Sequence, residues 1–272
     1  MYSKYYTKSN PGLWVLLTDE SEESCREINC LINHIIQKNF HGKTPDPRLY
    51  IHIIGYNGSL KVMDSGDLEQ LECKPLRTDE VTKKVPDGAG GLVEIKYRMP
   101  VWIEPRSEKD KSMLAEAIRG IEIFINEYIK ANPKSPAPIV WNIMSDEVEK
   151  NDINKIIEEV EKLKQIVSND GNVLFTCMSG KPDNNIDLFN TINPLFRCCS
   201  KIPHSEIFLH RIIYELEFYC TNYKLITCEN YMCFYLTKLY KFGGAFMNCG
   251  STDGHGHEEL DRHIRSCLKN YE

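Results

Sequence analysis

Acidic and hydroxyl side chains follow two apolar runs of the sequence, at the point where each run ends. Asp19, Ser21 and Glu23 come at alternate positions after the first run, and Ser145 and Asp146 follow a later one. Carboxylate and hydroxyl oxygens are hard ligands of the kind that Mg²⁺ prefers, with waters completing an octahedron. The pattern is compatible with a cation site, provided that the fold brings the two run ends together.

The first of these loops also has a simpler interpretation as the start of a helix. Serine is a favoured N-cap because its side-chain oxygen accepts an otherwise unpaired backbone N–H, and acids in the first turn oppose the helix dipole. Ser21 to Glu23 would then cap the helix that follows. Taken alone, the local sequence favours this capping role.

The elements that position these residues alternate between two periodicities. Four short apolar runs rich in isoleucine, valine and aromatic residues predict strands buried on both faces. They cover residues 13–17, 49–56, 139–144 and 172–178. Three segments between or after them have the apolar spacing of amphipathic helices. These segments are residues 28–36, 114–128 and 153–167. The alternation predicts an α/β fold with a doubly wound, mainly parallel sheet and helices on both faces.

The stretch from Asn57 to Met99 lacks a long periodic pattern and predicts a hairpin or edge-strand excursion. Its glycine-rich piece PDGAGG, residues 86–91, could suggest a phosphate cradle. A phosphate-binding loop needs Gly-Lys-Ser/Thr leading into a helix, whereas strand-like residues follow here. DG and GG are turn signals, so we expect a turn or an edge hairpin.

Open parallel sheets bind ligands beyond the carboxyl ends of their strands, where the strand order reverses. The first strand usually flanks that point. We therefore expect the loop with Asp19, Ser21 and Glu23 to lie at the binding edge of the sheet.

Bulk composition excludes several classes of partner. A formal net charge of -6, with 33 scattered basic residues, offers no attraction for a phosphate backbone, so nucleic acid is not expected. No apolar run approaches the roughly 20 residues needed to cross a bilayer, and the N-terminus has no apolar signal core. Together with 11 cysteines, an odd number, these features predict a cytoplasmic protein with reduced thiols and no membrane partner.

The loop after the first strand resembles the metal-ion-dependent adhesion site of von Willebrand factor A (VWA) domains, whose usual pattern is Asp-x-Ser-x-Ser. Longer stretches resemble one group of these domains more specifically, the bacterial cytoplasmic VWA proteins encoded beside kinases and phosphatases in tellurite-resistance-type and phage-defence-type operons. The stretches are YIHIIGYNGSLKV (50–62), TKKVPDGAGGLVE (82–94), VWIEP (101–105), PIVWNIMSDE (138–147), DGNVLFTC (170–177) and LFRCCSKIP (195–203). The resemblance covers about residues 13–203.

The resemblance implies a degenerate adhesion site. Asp19 and Ser21 match its first two ligands, but Glu23 stands at the third, normally a serine, and Glu22 replaces the glycine between them. Clustered carboxylates favour a cation or a basic partner group, because they repel one another when unneutralised. Either Glu23, Asp146 or both supply carboxylates to a rebuilt site, or the site has decayed and keeps only its shape.

The other two ligand loops of the family also depart from the usual pattern. The Gly-Gly-Thr-Pro-Met loop falls on DKSML (110–114), so Ser112 stands where the threonine ligand would be. The Thr-Asp-Gly loop falls after the run 139–144. Ser145 takes the aspartate position without a gap, whereas a one-residue shift aligns Ser145 and Asp146 with threonine and aspartate.

The resemblance implies a non-enzymatic protein-interaction module that scaffolds or regulates a partner, here a co-encoded kinase or phosphatase. In the family mechanism, bound Mg²⁺ keeps one coordination position open for an acidic side chain of the partner. Such a module would serve stress response, phage defence or signalling. The alternative is a Mg²⁺-dependent phosphoryl-transfer or hydrolytic enzyme in the same acidic crevice, although Ser21 stands where aspartyl phosphotransferases have a second aspartate.

The C-terminal part matches the family poorly, so we divide the chain into a VWA-like domain (1–218) and an extension (219–272) packed on it. KPDNN at residues 181–185 could be a linker, and helical spacing returns over residues 207–216. The extension is rich in cysteine, histidine and aromatic residues, but Cys-x-x-Cys is absent, so buried free thiols are expected rather than Zn²⁺. Its aromatic clusters could form a partner-docking or self-association surface, or a late core strand and helix.

Overall fold

The computed structural model describes residues 6–86, 91–108, 110–144, 153–169, 171–179, 223–227 and 233–238. The strands in these ranges are β1 (Gly12–Thr18), β2 (Phe40–His41), β3 (Thr44–Pro45), β4 (Leu49–Gly55), β5 (Lys61–Asp67), β6 (Arg77–Pro86), β7 (Leu92–Val101), β8 (Ile139–Met144), β9 (Val167–Ser168), β10 (Gly171–Asn172), β11 (Leu174–Ser179), β12 (Tyr223–Thr227) and β13 (Cys233–Lys238). The helices are α1 (Glu22–Lys38), α2 (Leu68–Cys73), α3 (Leu114–Ala131) and α4 (Ile153–Leu163).

The main sheet has seven strands in the order β12-β13-β11-β8-β1-β4-β5. The five strands from β13 to β4 run parallel, and the edge strands β5 and β12 run antiparallel to their neighbours. Leu16 of β1 pairs with Ile53 on one side and Trp141 on the other. Because the chain visits β4 before it returns to β8, strand order reverses between β1 and β8. The predicted mainly parallel α/β sheet is confirmed.

Alternate side chains of β1 supply the two layers of the core. Trp14 and Leu16 lie in the cluster that contains the apolar side of α1, whereas Leu13, Val15 and Leu17 pack with α3 and α4. All seven residues of β1 are buried. Each large apolar side chain removed from water contributes about 1.5–3 kcal/mol to folding stability. Because β1 is buried on both faces, it contributes to both layers of the core. Helices cover both faces of the sheet, as predicted.

The third predicted helix ends earlier than its apolar spacing suggests. The prediction placed Val167 on the helix, but α4 ends at Leu163 and Val167 lies in β9, where it pairs with Asn172. The chain turns between β9 and β10, with Gly171 at φ +145°. Val167 is mostly exposed, so it does not pack against the core as the predicted helical stripe required. The same turn removes Asn172 from the predicted strand, which begins at Leu174.

The excursion predicted after Asn57 is confirmed. β5 adds antiparallel to β4, and a capping box of Asp67 and Gln70 starts α2. β6 and β7 then form a hairpin that is a two-stranded sheet of its own, separate from the main sheet. Pro86 pairs with Leu92 across the glycine-rich piece, so this piece connects two strands, as expected for a hairpin.

Several predictions lie outside the described residues: the linker at 181–185, the helical spacing at 207–216, and Ser145 and Asp146. β12 and β13, which belong to the predicted C-terminal extension, are strands of the main sheet. The domain boundary at residue 218 stays a prediction. None of the helices in the described ranges combines the length and apolar character needed to cross a bilayer.

Candidate functional site

The loop after β1 holds two oxygen atoms of the predicted site close together. The hydroxyl of Ser21 donates to Asp19 Oδ1 at 2.7 Å, and the Ser21 backbone N–H donates to the same oxygen at 3.1 Å. Ser21 also caps α1, because its Oγ accepts from the Ser24 backbone N–H at 3.2 Å. The capping role is thus confirmed. The same hydroxyl thus serves both as the helix cap and as a hydrogen-bond partner of Asp19.

Ser24 contributes a third oxygen that the sequence analysis missed. Its Oγ lies 2.9 Å from Ser21 Oγ, and the residue is buried. Neighbouring ligands of an octahedral Mg²⁺ site are about 2.9 Å apart, given metal–oxygen distances of about 2.0–2.1 Å. The spacings of Ser21 Oγ from Asp19 Oδ1 and from Ser24 Oγ, 2.7 and 2.9 Å, are close to this value. Serine at the third residue of the helix was the available signal.

Glu23 lies beside this group, in the first turn of α1 together with Glu22, where both carboxylates oppose the helix dipole. Its side chain is half-buried, whereas that of Glu22 is exposed. The predicted ligand role of Glu23 stays a prediction.

Glu20 is the buried acid of the loop, and the sequence analysis overlooked it. It adopts φ +57°, a left-handed conformation that is uncommon for residues other than glycine, asparagine and aspartate. Its Oε1 accepts from the Asn57 backbone N–H at 3.1 Å. The carboxylate lies against Gly55, where an added Cβ would be 2.5 Å from Oε1. Glycine at the end of β4 therefore makes room for the Glu20 side chain.

Asn57 links this loop to the segment before α3. Its side-chain amide donates to the Glu108 carbonyl at 2.7 Å, and its Oδ1 accepts from the Asp110 backbone N–H at 2.7 Å. Its carbonyl accepts from Arg106 Nη1 at 2.5 Å, and Arg106 Nη2 lies 3.2 Å from Asp110 Oδ2. One buried asparagine thus holds the ends of three loops in a fixed arrangement.

Ser112 is brought to the same edge of the sheet by this arrangement. It forms an isolated antiparallel bridge with Asn57, and the adjacent Met113 backbone N–H donates to the Tyr56 carbonyl at 2.9 Å. Ser112 is half-buried. The loops with Asp19 and Ser21 and with Ser112 therefore meet through the hydrogen bond between Glu20 and Asn57. The third predicted loop, with Ser145 and Asp146, follows β8 and lies outside the described residues.

The negative charge of Asp19 contributes to raised pKa values at two neighbouring side chains, Cys25 and Tyr56. Burial raises the pKa of the Cys25 thiol to about 12, with the charges of Asp19 and Glu20 adding to the rise and a hydrogen bond with Thr18 opposing it. Burial and Asp19 also raise the pKa of Tyr56 well above its ordinary value. Both groups stay protonated at neutral pH. A bound cation would neutralise the field that acts on them.

Other titratable groups of the core are arranged for packing. His52 on β4 stacks on Phe124 with ring centroids 4.1 Å apart, and burial lowers its pKa to about 4. The hydroxyl of Tyr56 donates to Asn142 Oδ1 at 3.1 Å. Across the described ranges, no set of three or more histidine, cysteine or acidic side chains is arranged to hold a metal ion. Among the described residues, the oxygens beside Asp19 are the hydroxyls of Ser21 and Ser24.

No protein-family model and no curated protein matches the chain. A von Willebrand factor type A structure from Catenulispora acidiphila is similar with a TM-score of 0.37 and 7% identity, over 76% of this chain and 42% of that one. The manganese-loaded TRAP protein of Plasmodium vivax has a TM-score of 0.36 and 14% identity, over 74% of this chain and 68% of that one. The chain thus spans about two-fifths of the first of these structures. Its structural similarity to VWA domains is distant.

Proposed function

We propose that this chain is a non-enzymatic interaction module that binds a protein partner at the carboxyl edge of its sheet. The observation that carries the proposal is the pair of oxygens at the end of β1, with Asp19 Oδ1 and Ser21 Oγ 2.7 Å apart beside the strand-order reversal. Ligands of open parallel sheets bind at this position. The edge is acidic, so its partner group is a cation or is bridged to it by one.

In this proposal, some residues of the edge are Mg²⁺ ligands and others hold the loops in position. Asp19, Ser21 and Ser112 would hold Mg²⁺, with Ser24 supplying a further hydroxyl, and Glu23 and the loop with Ser145 and Asp146 as additional donors. The metal would supply an electrophilic position for an acidic side chain of the partner. Glu20 and Asn57 hold the loops, because their hydrogen bond joins the β1 loop to the segment before α3.

The chemistry of the described residues favours binding over catalysis. A nucleophile needs a lowered pKa or an adjacent base. The pKa of Cys25 is raised, and the ring of His52 on β4 stacks on Phe124. The partner class that we propose is a co-encoded kinase or phosphatase in the bacterial cytoplasm.

Thermal unfolding with Mg²⁺ or Mn²⁺ tests the site. A ligand that binds the folded state stabilises it by about 2.7 kcal/mol at 100 times its Kd. We expect the unfolding temperature of the wild type to rise with metal concentration, and the rise to disappear in Asp19→Ala/Ser21→Ala. Loss of the Ser21 cap lowers stability by about 1 kcal/mol in itself, so the metal-dependent increment is the readout. Asp19→Asn keeps the cap, and Glu22→Ala is a control in the same loop.

The same variants test the partner role. Purified co-encoded kinase or phosphatase should bind the wild type and Glu22→Ala, and should bind Asp19→Asn at least tenfold more weakly. Unchanged binding by the double variant would remove the β1 edge from the mechanism. Metal-dependent turnover of p-nitrophenyl phosphate that is lost in Asp19→Asn would instead support the enzymatic alternative.

A further inference from the structure

β7 presents a long strand edge to solvent. Among the described residues it pairs with β6 alone, and every side chain from Leu92 to Arg98 is exposed. An open strand edge carries a row of unpaired N–H and C=O groups that can template another strand. A two-stranded hairpin is also marginal by itself and gains stability when strands are added.

The two faces of the hairpin differ in chemistry. Val93, Ile95 and Tyr97 lie on one face at 47%, 43% and 39% exposure. Glu94 and Lys96 lie on the other, where Lys96 Nζ is 2.6 Å from Glu80 Oε1 on β6. From Val93 to Tyr97, β7 therefore alternates apolar and charged side chains along an exposed stretch, and a strand that pairs with it must match both patterns.

The five residues Val93–Tyr97, with sequence VEIKY, are complementary to themselves when read in the antiparallel direction. If Ile95 lies opposite Ile95 of a second copy, Glu94 lies opposite Lys96, Lys96 opposite Glu94, and Val93 opposite Tyr97. Opposite charges and apolar pairs directly across strands are both stabilising. The relation is symmetric, as a two-fold interface between identical chains requires.

Other two-fold registers lack this match. A register centred on Glu94 places Glu94 opposite itself, and one centred on Lys96 places Lys96 opposite itself. A register centred on Tyr97 sets Lys96 opposite Arg98. Like charges directly across strands are destabilising, so charge favours the register centred on Ile95 over these three.

We propose that β7 pairs antiparallel with β7 of a second copy of the chain about a two-fold axis at Ile95. The hairpins of the two copies then form one four-stranded sheet. This dimer is independent of the β1 edge and joins the copies by strand addition. Each dimer contains the pair of Glu94 with the second copy's Lys96 twice.

Charge reversal on β7 tests the pairing, with the dimer Kd measured by sedimentation. Glu94→Lys and Lys96→Glu each turn two attractive pairs into two repulsive ones, so each should raise the Kd about tenfold. The double variant Glu94→Lys/Lys96→Glu restores both pairs and should return the Kd to within about threefold of the wild type. Glu80→Lys removes the ion pair with Lys96 inside the hairpin, but residue 80 lies on β6, opposite Arg98, and not on the strand that pairs with the second copy, so it should leave the Kd unchanged.

A cysteine scan gives a second readout. Directly opposed residues have Cα atoms about 4.5–5.5 Å apart, within the range of a disulfide. Ile95→Cys should therefore crosslink two copies on mild oxidation, above the background of the native cysteines in the wild type. Tyr97→Cys is the control, because it would be four residues, about 13 Å along the strand, from its own copy.

Three results would overturn the proposal. They are a wild type that stays monomeric up to its solubility limit, a double charge swap that dimerises no better than the single reversals, and a Tyr97→Cys crosslink as efficient as that of Ile95→Cys. A dimer whose Kd is unchanged in both single reversals, Glu94→Lys and Lys96→Glu, fails the second of these tests and places the contact on another surface.

Discussion

β1 and β7 are both strands with many apolar residues, but they lie in opposite environments. β1 is buried at all seven positions, whereas β7 is exposed over its first seven. β1 has a parallel partner on each side and helices on each face, while β7 pairs with β6 alone among the described residues. The difference in burial therefore follows from the neighbours of each strand. β1 is a continuous apolar run, whereas residues 93–97 of β7 alternate between apolar and charged.

The contrast ends abruptly at the base of the hairpin. Trp102 and Ile103 directly after β7 are buried in the core cluster of α1. Asn29 of α1 fixes this junction: its Oδ1 accepts from the Trp102 and Ile103 backbone N–H groups at 2.8 and 3.1 Å, and its Nδ2 donates to the Ile103 carbonyl at 2.9 Å. One buried side chain thus anchors an exposed hairpin to the sheet domain.

Matched leucine truncations give the largest expected difference between the two strands. Leu16 is fully buried on β1 and Leu92 is 61% exposed on β7. Leu16→Ala removes buried methyl groups and leaves a cavity, so it should lower the free energy of unfolding by about 3–5 kcal/mol. Leu92→Ala should lower it by less than about 1 kcal/mol. Urea unfolding of both variants checks this, and equal losses would contradict the comparison.

Removal of the anchor should have an intermediate effect. Asn29→Ala leaves two buried backbone N–H groups and a carbonyl without their partner, which should lower the free energy of unfolding by about 2–4 kcal/mol. Hydrogen exchange should also become faster at Trp102 and Ile103. Asn126→Ala on α3 is the control, because Asn126 is half-buried and bonds only the Glu122 carbonyl of its own helix. A loss no larger than that of the control would show that the hairpin has another anchor.

Acid should act gradually on the strand beside β1. Burial lowers the pKa of His52 to about 4, below the value of about 6.5 in an unfolded chain. As the pH falls below about 6.5, the unfolded chain takes up the proton first. His52 should therefore reduce the free energy of unfolding by about 1.4 kcal/mol per pH unit, until the pH reaches about 4. His52→Gln should remove this component from unfolding curves recorded between pH 7 and 4.5. An unchanged slope would place the titration elsewhere.

Much of the fold was predictable because its elements have strong periodicity. The runs that became β1, β4 and β8 and the stripes that became α1 and α3 were assigned from spacing alone. Spacing failed at Val167, where an apolar residue in helical register belongs to a tight hairpin instead. A turn that is set by Gly171 and by pairing with Asn172 is not visible in the periodicity of the preceding helix.

One contact of the candidate site, between Asp19 and Ser21, could be anticipated from the sequence. Asp19 and Ser21 were identified, and their contact is present, because the geometry of a strand end and a helix N-cap is local. Glu20 was missed, since its role depends on Gly55 and Asn57, which are distant in sequence. Ser24 was missed because its hydroxyl approaches Ser21 only after the helix has formed.

The sequence by itself determined the buried strands, the amphipathic helices, the cap at Ser21 and the turn signals between β6 and β7. Each of these follows from residues within one or two turns of chain. Only the tertiary structure decided that Glu20 and Asn57 join two loops, and that β7 pairs with β6 alone among the described residues. These properties depend on which distant segments become neighbours, and local periodicity carries no information about that choice.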